Sequence, residues 1–586
     1  MRLVRLKVTE PFRGLPRGFE LHFGKRDVYS GLSPICFVGL NGSGKSNVLC
    51  LLSEIFYLYE LYARGLMAKR SPVERRKQSA ELGFELEYYL DAHEVLQAFD
   101  DVPELNEVLD IPRTEPWDYV VKLTKKKNEE CTASFFENQR LNQDFELTAK
   151  RMDRVGNLLP QRIVGYSSGA NELISNPFIR MDLHYFDRYK ASVGEKGVTL
   201  TRSEQNDRLF FMDYQSNALV TIANYLFKDQ KESFHHLEDA LGIEDLHSFS
   251  ITVQQYRYKG QTFDLPSNLV LELDKLKCCA TCYDVNTAGH YTRLDFFVND
   301  ECRKAFKANF RTAFELFRTL YSLRLYNAEL HGQRVRRKVM GAPMGANLSD
   351  LLPTPSGDEL VFAIDDIVFR KRGLESLVNY SQLSDGEHQL LHVLGTVILI
   401  DMDTHGALFL LDEPETHSNP EWRAKFVTLL NNCIAGEEEI KAIREQEIIL
   451  TTHSPFVVSD CQPDRVFLFQ RNKENPAEVE CRSAAEMGFN TFGASVHHIT
   501  NKLFAYDLSF GEKANERLQD LRAELHSGSK TPDEVIETAY DELGPSAERI
   551  LLINEAHHAS DQSTEPPQPE PEPTPIPLRP QQTATA

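Results

Sequence analysis

The chain has 586 residues, and at about 100 to 200 residues per domain this length predicts two or three compact domains rather than one. Hydrophobic residues make up 41% of the chain and charged residues 26%, a composition that excludes wholesale disorder and the fibrous classes. The 65 Lys and Arg against 87 Asp and Glu give a formal charge of −22. Such a surface repels nucleic acid on average, so contact with DNA or RNA requires a locally basic groove.

The first residues and the cysteines predict a cytoplasmic protein with no membrane contact. Residues 1–14 lack the apolar core of a signal peptide, and no run of about 18 apolar residues occurs anywhere. The 10 cysteines are scattered, and several, such as Cys36, Cys50 and Cys433, lie in apolar runs. This usage suits reduced core thiols better than a disulfide framework.

The chain opens with the patterns of two strands and then of a strand, a loop and a helix. Val4, Leu6 and Val8 alternate with charged residues, which predicts a half-buried strand paired with a second one near 19–23. A fully apolar run at 35–38 predicts a buried strand. A glycine-rich turn follows, and apolar residues at helical spacing continue beyond it.

The long middle, from about 65 to 375, shows charged helical stretches near 69–83 and 303–330 and gives no order of elements. The last third is regular again, because predicted strands and helices alternate and so imply a mostly parallel sheet. The predicted helices span 386–400 and 419–435, and the predicted strands span 408–411, 448–451 and 466–469. Helical spacing returns at 511–556, and a proline-rich tail predicted to be disordered starts at about 558.

A phosphate-binding loop is the strongest motif. Residues 39–46 fit G-x-x-x-x-G-K-[ST] between a buried strand and a helix, the context in which that pattern cradles a polyphosphate. Lys45 is predicted to reach the terminal phosphates and Ser46 to bind Mg²⁺. The full set of predicted ATP contacts in this loop is Gly39, Asn41, Gly42, Ser43, Gly44, Lys45, Ser46 and Asn47.

An apolar run at 407–411 ends in two adjacent carboxylates, Asp412 and Glu413. Such a pair beside a phosphate-binding loop predicts two tasks. Asp412 at the strand end would hold the magnesium, and Glu413 would orient and deprotonate the water that attacks the γ-phosphate.

Three further elements make the chain resemble ABC-type ATPases of the SMC, Rad50 and RecF kind. Residues 383–387 are similar to the LSGGQ-like signature, although Asp385 replaces a glycine; the resemblance implies that Ser384, Gly386 and Glu387 contact the γ-phosphate bound by another subunit. Residues 414–420 resemble the D-loop. Residues 448–455 resemble the switch-histidine strand, which implies that His453 contacts the γ-phosphate. Gln161 is the candidate for the magnesium-sensing glutamine of this family, with an ordinary structural role as the alternative.

The resemblance implies an α/β fold in which a mixed sheet with flanking helices forms the ATPase head. The head is expected from 1–62 and 376–475, with an α-rich insert at 63–375 that has some strands, a helical partner-binding segment at 476–557 and a disordered tail at 558–586. It also implies ATP and Mg²⁺ as cofactors. Two heads would dimerise head to tail, so that Lys45 of one chain and Ser384 of the other enclose each ATP; a homodimer or higher oligomer is expected.

Two possible metal sites were weighed against ordinary roles. Cys278, Cys279 and Cys282 contain a C-x-x-C, with His290 and Cys302 near in sequence, but no coiled coil or second cysteine pair accompanies them, so ordinary thiols are favoured over metal binding. His497, His498 and Asn501 hint at an HNH-like element whose ligand spacing is incomplete. No nuclease centre is visible in the sequence.

The compact insert, residues 164–172 and residues 540–548 resemble restriction-system-associated ATPases of phage defence, in particular the PtuA type of Septu and retron-linked systems. That resemblance implies an HNH-type nuclease partner gated by ATP, and a reverse transcriptase with its RNA–DNA product as further partners. Two alternatives stay open: a RecF-like repair ATPase, and an ATP-stabilised oligomeric scaffold with little hydrolysis, for which Asp385 is the supporting feature.

Local basic clusters are the candidates for nucleic-acid contact in this acidic chain, with solvated helix faces as the alternative for each one. The densest cluster is Arg334, Arg336, Arg337 and Lys338, followed by Lys69, Arg70, Arg75, Arg76 and Lys77, by Lys125, Lys126 and Lys127, and by Arg370, Lys371 and Arg372.

Overall fold

A computed structural model gives the fold. It describes residues 1–23, 33–67, 71, 81–90, 119–137, 145–147, 152–169, 172–191, 207–255, 262–286, 290–348, 350–352, 359–401, 403, 406–434, 446–472, 474–475, 478–504 and 510–564. The charged stretch at 69–83, which includes Lys69, Arg70 and Arg75 to Lys77, and the tail beyond 564 lie largely or wholly outside these residues. The chain divides into two units, Met1–Ile499 and Thr500–Ala586.

The first unit is built around a seven-stranded sheet of strand order β18-β17-β3-β16-β15-β8-β9. Its strands are β3 (Ile35–Val38), β8 (Arg162–Ser167), β9 (Leu209–Met212), β15 (Ala407–Asp412), β16 (Glu447–Thr451), β17 (Val466–Arg471) and β18 (Val479–Ser483). The strands pair in parallel except for β18, which runs antiparallel to β17. Every residue of β3, β15 and β16 is buried, which explains their unbroken apolar runs.

The described residues up to 504 also form helices. They are α1 (Lys45–Ala63), α2 (Glu172–Ala191), α3 (Tyr214–Leu226), α4 (Phe234–Leu241), α5 (Ser267–Cys279), α6 (Asp300–Asn309), α7 (Ala313–Leu325), α8 (Gln333–Met340), α9 (Asp385–Asp401), α10 (Pro420–Ile434), α11 (Pro455–Ser459) and α12 (Val496–Phe504). Short 3₁₀ turns lie at Met152–Leu158, Lys228–Gln230, Tyr326–Leu330 and Tyr380–Gln382. The predicted helices at 386–400 and 419–435 are thus confirmed as α9 and α10.

Two antiparallel sheets complete the first unit. One has the order β2-β1-β4-β5-β6-β7, from β1 (Arg2–Val8), β2 (Glu20–His22), β4 (Phe84–Leu90), β5 (Tyr119–Lys125), β6 (Thr132–Glu137) and β7 (Phe145–Leu147). The other has the order β11-β12-β10-β13-β14, from β10 (Ile243–Gln254), β11 (Cys282–Asn286), β12 (Tyr291–Phe297), β13 (Phe362–Lys371) and β14 (Val378–Asn379).

The first strand differs in detail from its predicted alternation. Leu3, Leu6 and Val8 are buried, whereas Val4 is half-buried. A register shift between Leu3 and Arg5 in the pairing with β4 changes which residue faces the core. The bulge therefore moves the first buried position by one residue, an effect that a simple period of two cannot anticipate.

The expected division between head and insert needs correction. Strands β8 and β9 lie within 63–375, yet they are part of the seven-stranded sheet, and β18 lies beyond the expected end of the head at 475. The described part of 63–375 contains helices and strands, as expected, and it contributes β4 to β7 to the sheet that contains β1. The prediction failed because sheet neighbours distant in sequence leave no local signal.

The second unit contains three helices, α13 (Glu512–Ser527), α14 (Pro532–Glu542) and α15 (Ala547–Thr564). Thr531 and Glu534 form a capping box at the start of α14, which separates it from α13. The buried cluster that joins the three helices is Leu518, Leu521, Leu525, Val535, Ala539, Leu552, Ile553 and Ala556.

Candidate functional site

The candidate site lies at one edge of the seven-stranded sheet, where four parallel strands end. Asp412 at the end of β15 is in register with Thr451 at the end of β16 on one side and with Ser167 at the end of β8 on the other. Thr451 is in turn in register with Phe37 of β3. Because carboxyl ends of parallel strands share an edge, the loop after β3 meets the acidic pair after β15.

The loop after β3 has a backbone that requires glycine. Gly39 has φ 141°, and a Cβ atom there would lie 2.3 Å from the carbonyl oxygen of Phe469. Gly44 has φ 103°, and its Cβ would lie 2.9 Å from a methyl group of Val479. Both contacts come from β17 and β18, so the sheet itself sets the path of the loop.

Lys45 starts α1 and is buried. Its Nζ donates to the carbonyl oxygens of Gly39 at 2.8 Å and Leu40 at 3.2 Å, and lies 3.1 Å from Nε2 of His453. Burial lowers the pKa of Lys45, while the carboxylates of Glu413 and Asp412 act in the opposite direction. The ammonium of Lys45 therefore lies inside the loop and interacts electrostatically with the carboxylates of Asp412 and Glu413.

Ser46 and Asp412 form an oxygen-rich pair. The Ser46 hydroxyl donates to Asp412 Oδ1 at 2.8 Å, and the Thr451 hydroxyl donates to the same oxygen at 2.8 Å. The Ser167 hydroxyl lies 3.5 Å from Asp412 Oδ2. Hydroxyl and carboxylate oxygens are the donors that Mg²⁺ prefers, so this arrangement fits magnesium.

Glu413 projects from a backbone in the left-handed region, with φ 50°. Its Oε1 lies 3.4 Å from His453 Nε2, and this contact holds the pKa of Glu413 below its usual range. Nε2 of His453 thus lies between an ammonium and a carboxylate. It can accept from Lys45 or, when protonated, donate to Glu413, but not both.

A buried hydroxyl in the loop gives a second reason why residues 39–47 fit a polyphosphate. Ser43 is 3% exposed, and its Oγ has no hydrogen-bond partner among the described residues. A buried hydroxyl without a partner is costly unless a ligand satisfies it. Asn47 lies one turn further on, and its side-chain amide donates to the backbone oxygen of Arg13 at 2.6 Å, so its role in the structure is to fix the N-terminal segment.

The signature residues lie at the start of α9. Ser384 is exposed; its backbone N–H and its hydroxyl donate to Glu387 Oε2 at 2.8 and 2.9 Å. Glu387 N–H donates back to the Ser384 hydroxyl at 3.3 Å, which completes a capping box. The pKa of Glu387 is below its usual value. Burial acts to raise this pKa, but the ion pair with Lys371 and the bonds from Ser384 together lower it by more. Gly386 is buried beside residue 417.

Gln161 is not at this edge, which corrects its predicted role. Its N–H donates to the carbonyl of Gly406 at 2.9 Å, at the start of β8 and β15, where Arg162 is in register with Ala407. Five residues of strand, about 17 Å, separate this end from Asp412. Ser167, at the other end of β8, is the residue in register with Asp412, and only the strand pairing reveals this proximity.

The other predicted clusters are less uniform than their sequences suggest. Arg336 is buried and pairs with Asp187 at 3.1 Å, Lys125 is buried, and Lys371 pairs with Glu387. Arg334, Arg337 and Lys338 remain exposed on α8. Arg370 and Arg372 are also exposed, and Arg372 pairs with Asp239 at 3.1 Å.

Within the described ranges, no group of three or more His, Cys, Asp or Glu side chains is placed to hold a metal ion. Cys278 and Cys282 are exposed, Cys279 and Cys302 are buried, and burial raises the pKa of Cys279 to about 12. Every helix of those ranges is too short or too polar to cross a bilayer.

Comparison with known proteins gives three likenesses. The AAA domain family described as putative AbiEii toxin, Type IV TA system, matches residues 296–459. The Septu protein PtuA of Bacillus mycoides (strain KBAB4) is 29% identical over 133 residues, which are 21% of this chain and 17% of that protein's length. The SmcHead bound to the C-winged helix domain of ScpA aligns over 83% of this chain and 100% of its own, at 12% identity and a TM-score of 0.32.

The site and the family match define a class of protein. Residues 296–459 match an AAA domain family, and Lys45, Ser46, Asp412, Glu413 and His453 lie together where the parallel strands end, with residues 383–387 at the start of α9. The predicted fold class and ATPase activity are therefore confirmed. The match to PtuA extends over a small part of either protein.

Proposed function

We propose that ATP binds in the loop at 39–47 and is hydrolysed by Glu413 with His453 beside it. Ser46 and Asp412 would hold Mg²⁺, which when bound would neutralise the β- and γ-phosphate charge. Because its pKa is lowered, Glu413 is a carboxylate at neutral pH and can accept the proton of the attacking water. His453 fixes the direction of that carboxylate through Nε2.

One observation carries the proposal: Lys45, Ser46, Asp412, Glu413 and His453 come from three separate chain segments and meet within 3.4 Å steps of one another. Chance strand ends rarely combine a lysine in a glycine-rich cradle with an oxygen pair and a carboxylate–imidazole contact. This is the arrangement that phosphoryl transfer requires.

The test is the substitution Glu413→Gln, which keeps the side chain's size and removes the base. ATP turnover, measured as phosphate release, should fall by about 100-fold or more, while binding of a fluorescent ATP analogue stays within a few-fold. Glu421→Gln is the matched control, because Glu421 is exposed on α10 and pairs only locally with Lys425. Unchanged phosphate release in Glu413→Gln would reject the assignment.

The second part of the proposal is that two chains share each ATP. Ser384 and Asp385 are exposed at the start of α9, whose N–H groups favour an anion, and the resemblance to ABC-type ATPases implies that such a turn contacts the neighbour's γ-phosphate. Glu413→Gln should therefore become dimeric with ATP and stay monomeric without it, as measured by light scattering on a sizing column. A monomer at saturating ATP would contradict this part.

The third part is the biology: the ATP state would gate a separate HNH-type nuclease in a Septu-like defence complex. The likeness to the Septu protein PtuA and to a family named for a toxin supports this reading. The purified chain alone should not cut DNA or RNA with Mg²⁺ or Mn²⁺. Cleavage should need an HNH protein encoded beside its gene, and should respond to Lys45→Ala in this chain.

The C-terminal unit is the proposed docking surface for that nuclease. Tyr540, Ile550 and Leu551 are 59%, 57% and 56% exposed, a set of large apolar side chains on α14 and α15. The double substitution Ile550→Glu, Leu551→Glu should abolish co-purification of the nuclease and leave ATP turnover unchanged. Retained co-purification would place the docking surface elsewhere.

A further inference from the structure

The signature helix touches the catalytic segment of its own chain. Gly386, in the first turn of α9, lies so close to residue 417 that a Cβ atom would be 2.8 Å from the His417 carbonyl oxygen. The same Cβ would lie 3.3 Å from the ring of Trp422, at the start of α10. The helix that carries Ser384 is thus packed directly on the segment that follows Glu413.

Gln389, one turn further along α9, makes this contact specific. It is 4% exposed. Its Oε1 accepts from the His417 N–H at 2.8 Å, and its Nε2 donates to the Glu413 carbonyl oxygen at 3.4 Å. Its side chain also acts to lower the pKa of the Tyr166 hydroxyl, near the end of β8, against the larger effect of burial. A single side chain therefore holds both ends of the segment from 413 to 417.

The peptide that Gln389 contacts is a strained one. Glu413 has φ 50°, a conformation that costs free energy for any residue with a Cβ and persists only where neighbours impose it. The Thr451 hydroxyl accepts from the Glu413 N–H at 3.0 Å, and the Thr416 hydroxyl donates to its carbonyl oxygen at 3.0 Å. Among the described residues, Gln389 is the one that joins the signature helix to this peptide, through its bond to the Glu413 carbonyl oxygen.

We infer that Gln389 is a positioning residue that couples the signature helix to the catalytic base of the same chain. This inference rests on the proposed shared ATP sites. In such a dimer, Ser384 serves the neighbour's ATP while Gln389, on the same helix, holds the backbone of Glu413 at the chain's own ATP. Movement of α9 upon contact with one ATP therefore alters the orientation of the base at the other, and the two sites fire together.

The experiment compares Gln389→Met, which keeps length and loses both hydrogen bonds, with Thr396→Val on the same helix. Thr396 is buried, and its hydroxyl has no hydrogen-bond partner among the described residues, so the control tests general packing of α9. Gln389→Met should lower kcat about tenfold, leave KM for ATP within about twofold, and bring the Hill coefficient for ATP towards 1. Thr396→Val should change none of the three.

A second pair of variants keeps the test decisive if Gln389→Met does not fold. Gln389→Glu keeps the acceptor for the His417 N–H and loses the donor to Glu413, so kcat and the Hill coefficient should fall again. Tyr166→Phe removes only the third contact and should leave both values near those of the wild type. A folded Gln389 variant with normal kcat and cooperativity would overturn the inference.

The same measurements on Glu413→Gln separate this inference from the proposed function. Lost turnover in Glu413→Gln with normal turnover in Gln389→Met would refute the coupling alone. Retained turnover in Glu413→Gln would refute the assignment of the base and the coupling together. A fall in kcat accompanied by an equal rise in KM would assign Gln389 to ATP binding and would also overturn the inference.

Discussion

The phosphate-binding loop and the signature turn differ in how completely one chain builds them. Lys45 is buried, and Arg471 from β17 donates to the Gly42 carbonyl at 2.8 Å, so remote strands hold the loop. Ser384 is exposed, and the bonds described for it are to Glu387 and His388 within its own helix. The loop is shaped by the tertiary fold, whereas the signature turn is shaped by local capping and faces solvent.

That difference teaches where each half of the proposed ATP site finds its partners. A loop with a buried lysine needs only its own chain to be preorganised, which favours binding of phosphate before any association. An exposed helix start presents first-turn N–H groups to solvent, and these can bind an anion that another molecule brings.

The largest effect is expected from Lys45→Ala. The substitution removes the ammonium that contacts Gly39 and His453, so ATP binding and turnover should both fall by about 100-fold or more, measured by fluorescence titration and phosphate release. Lys425→Ala is the matched control, because Lys425 is exposed on α10 and pairs with Glu421. Tight ATP binding in Lys45→Ala would show that the loop is not the phosphate site.

A smaller loss, confined to turnover, is expected from Ser384→Arg. The single chain should bind ATP normally, because the loop is intact, but phosphate release should fall by about tenfold or more. Mixing this variant with Lys45→Ala provides the sharper test. One site of each mixed dimer then has both an intact Lys45 and an intact Ser384, so activity should rise above that of either variant alone, up to about a quarter of the wild-type value, which is the limit for sites that act independently. No recovery upon mixing would break the comparison.

The contrast also shows what the sequence could predict. The loop at 39–46, the Asp412–Glu413 pair and His453 are contiguous patterns flanked by recognisable strands, and the structure brings them together at one sheet edge. Thr451 and Ser167 reach Asp412 only through the order of strands β16-β15-β8, which no local pattern encodes.

Gln161 illustrates the same limit from the other side. It precedes an apolar run, but it lies at the start of β8, whereas Asp412 is in register with Ser167 at the other end of that strand. The strands within 63–375 show the same limit. Long-range pairing of β8 with β15, and of β4 with β1, determines the sheets, and periodicity detects strands without identifying their neighbours.

Glu415 predicts how the stability of the fold depends on pH. It lies between Glu413 and His417, in the segment that α9 contacts. Burial raises its pKa to about 7, with a hydrogen bond from Thr452 acting against this. The folded state then binds more protons than the unfolded state between about pH 4.5 and 7, so stability falls as pH rises through that window and is lowest above it.

Glu415→Gln should remove this dependence. Relative to the wild type, the variant should gain on the order of a few kcal/mol between pH 5 and pH 8, as measured by denaturant unfolding at both values. Glu421→Gln, on exposed α10, should show no such difference. If the difference in free energy of unfolding between wild type and variant is the same at both pH values, Glu415 is ionised in the folded protein from pH 5 to pH 8.

The smallest effect is expected from Ser167→Ala. The Ser167 hydroxyl lies 3.5 Å from Asp412 Oδ2, at the long end of hydrogen bonding, whereas Ser46 and Thr451 both donate to Oδ1 at 2.8 Å. Asp412 therefore keeps its orientation without Ser167, and the ATP concentration for half-maximal turnover should not change. What changes is the environment of Oδ2, the oxygen that faces β8. The Mg²⁺ concentration for half-maximal turnover should rise about two- to threefold, whereas Ser168→Ala should leave it unaltered, because the Ser168 hydroxyl contacts Thr416 instead. An equal effect of the two variants would mean that the end of β8 supports the loop only by its backbone, and that the metal site is confined to β15, β16 and α1.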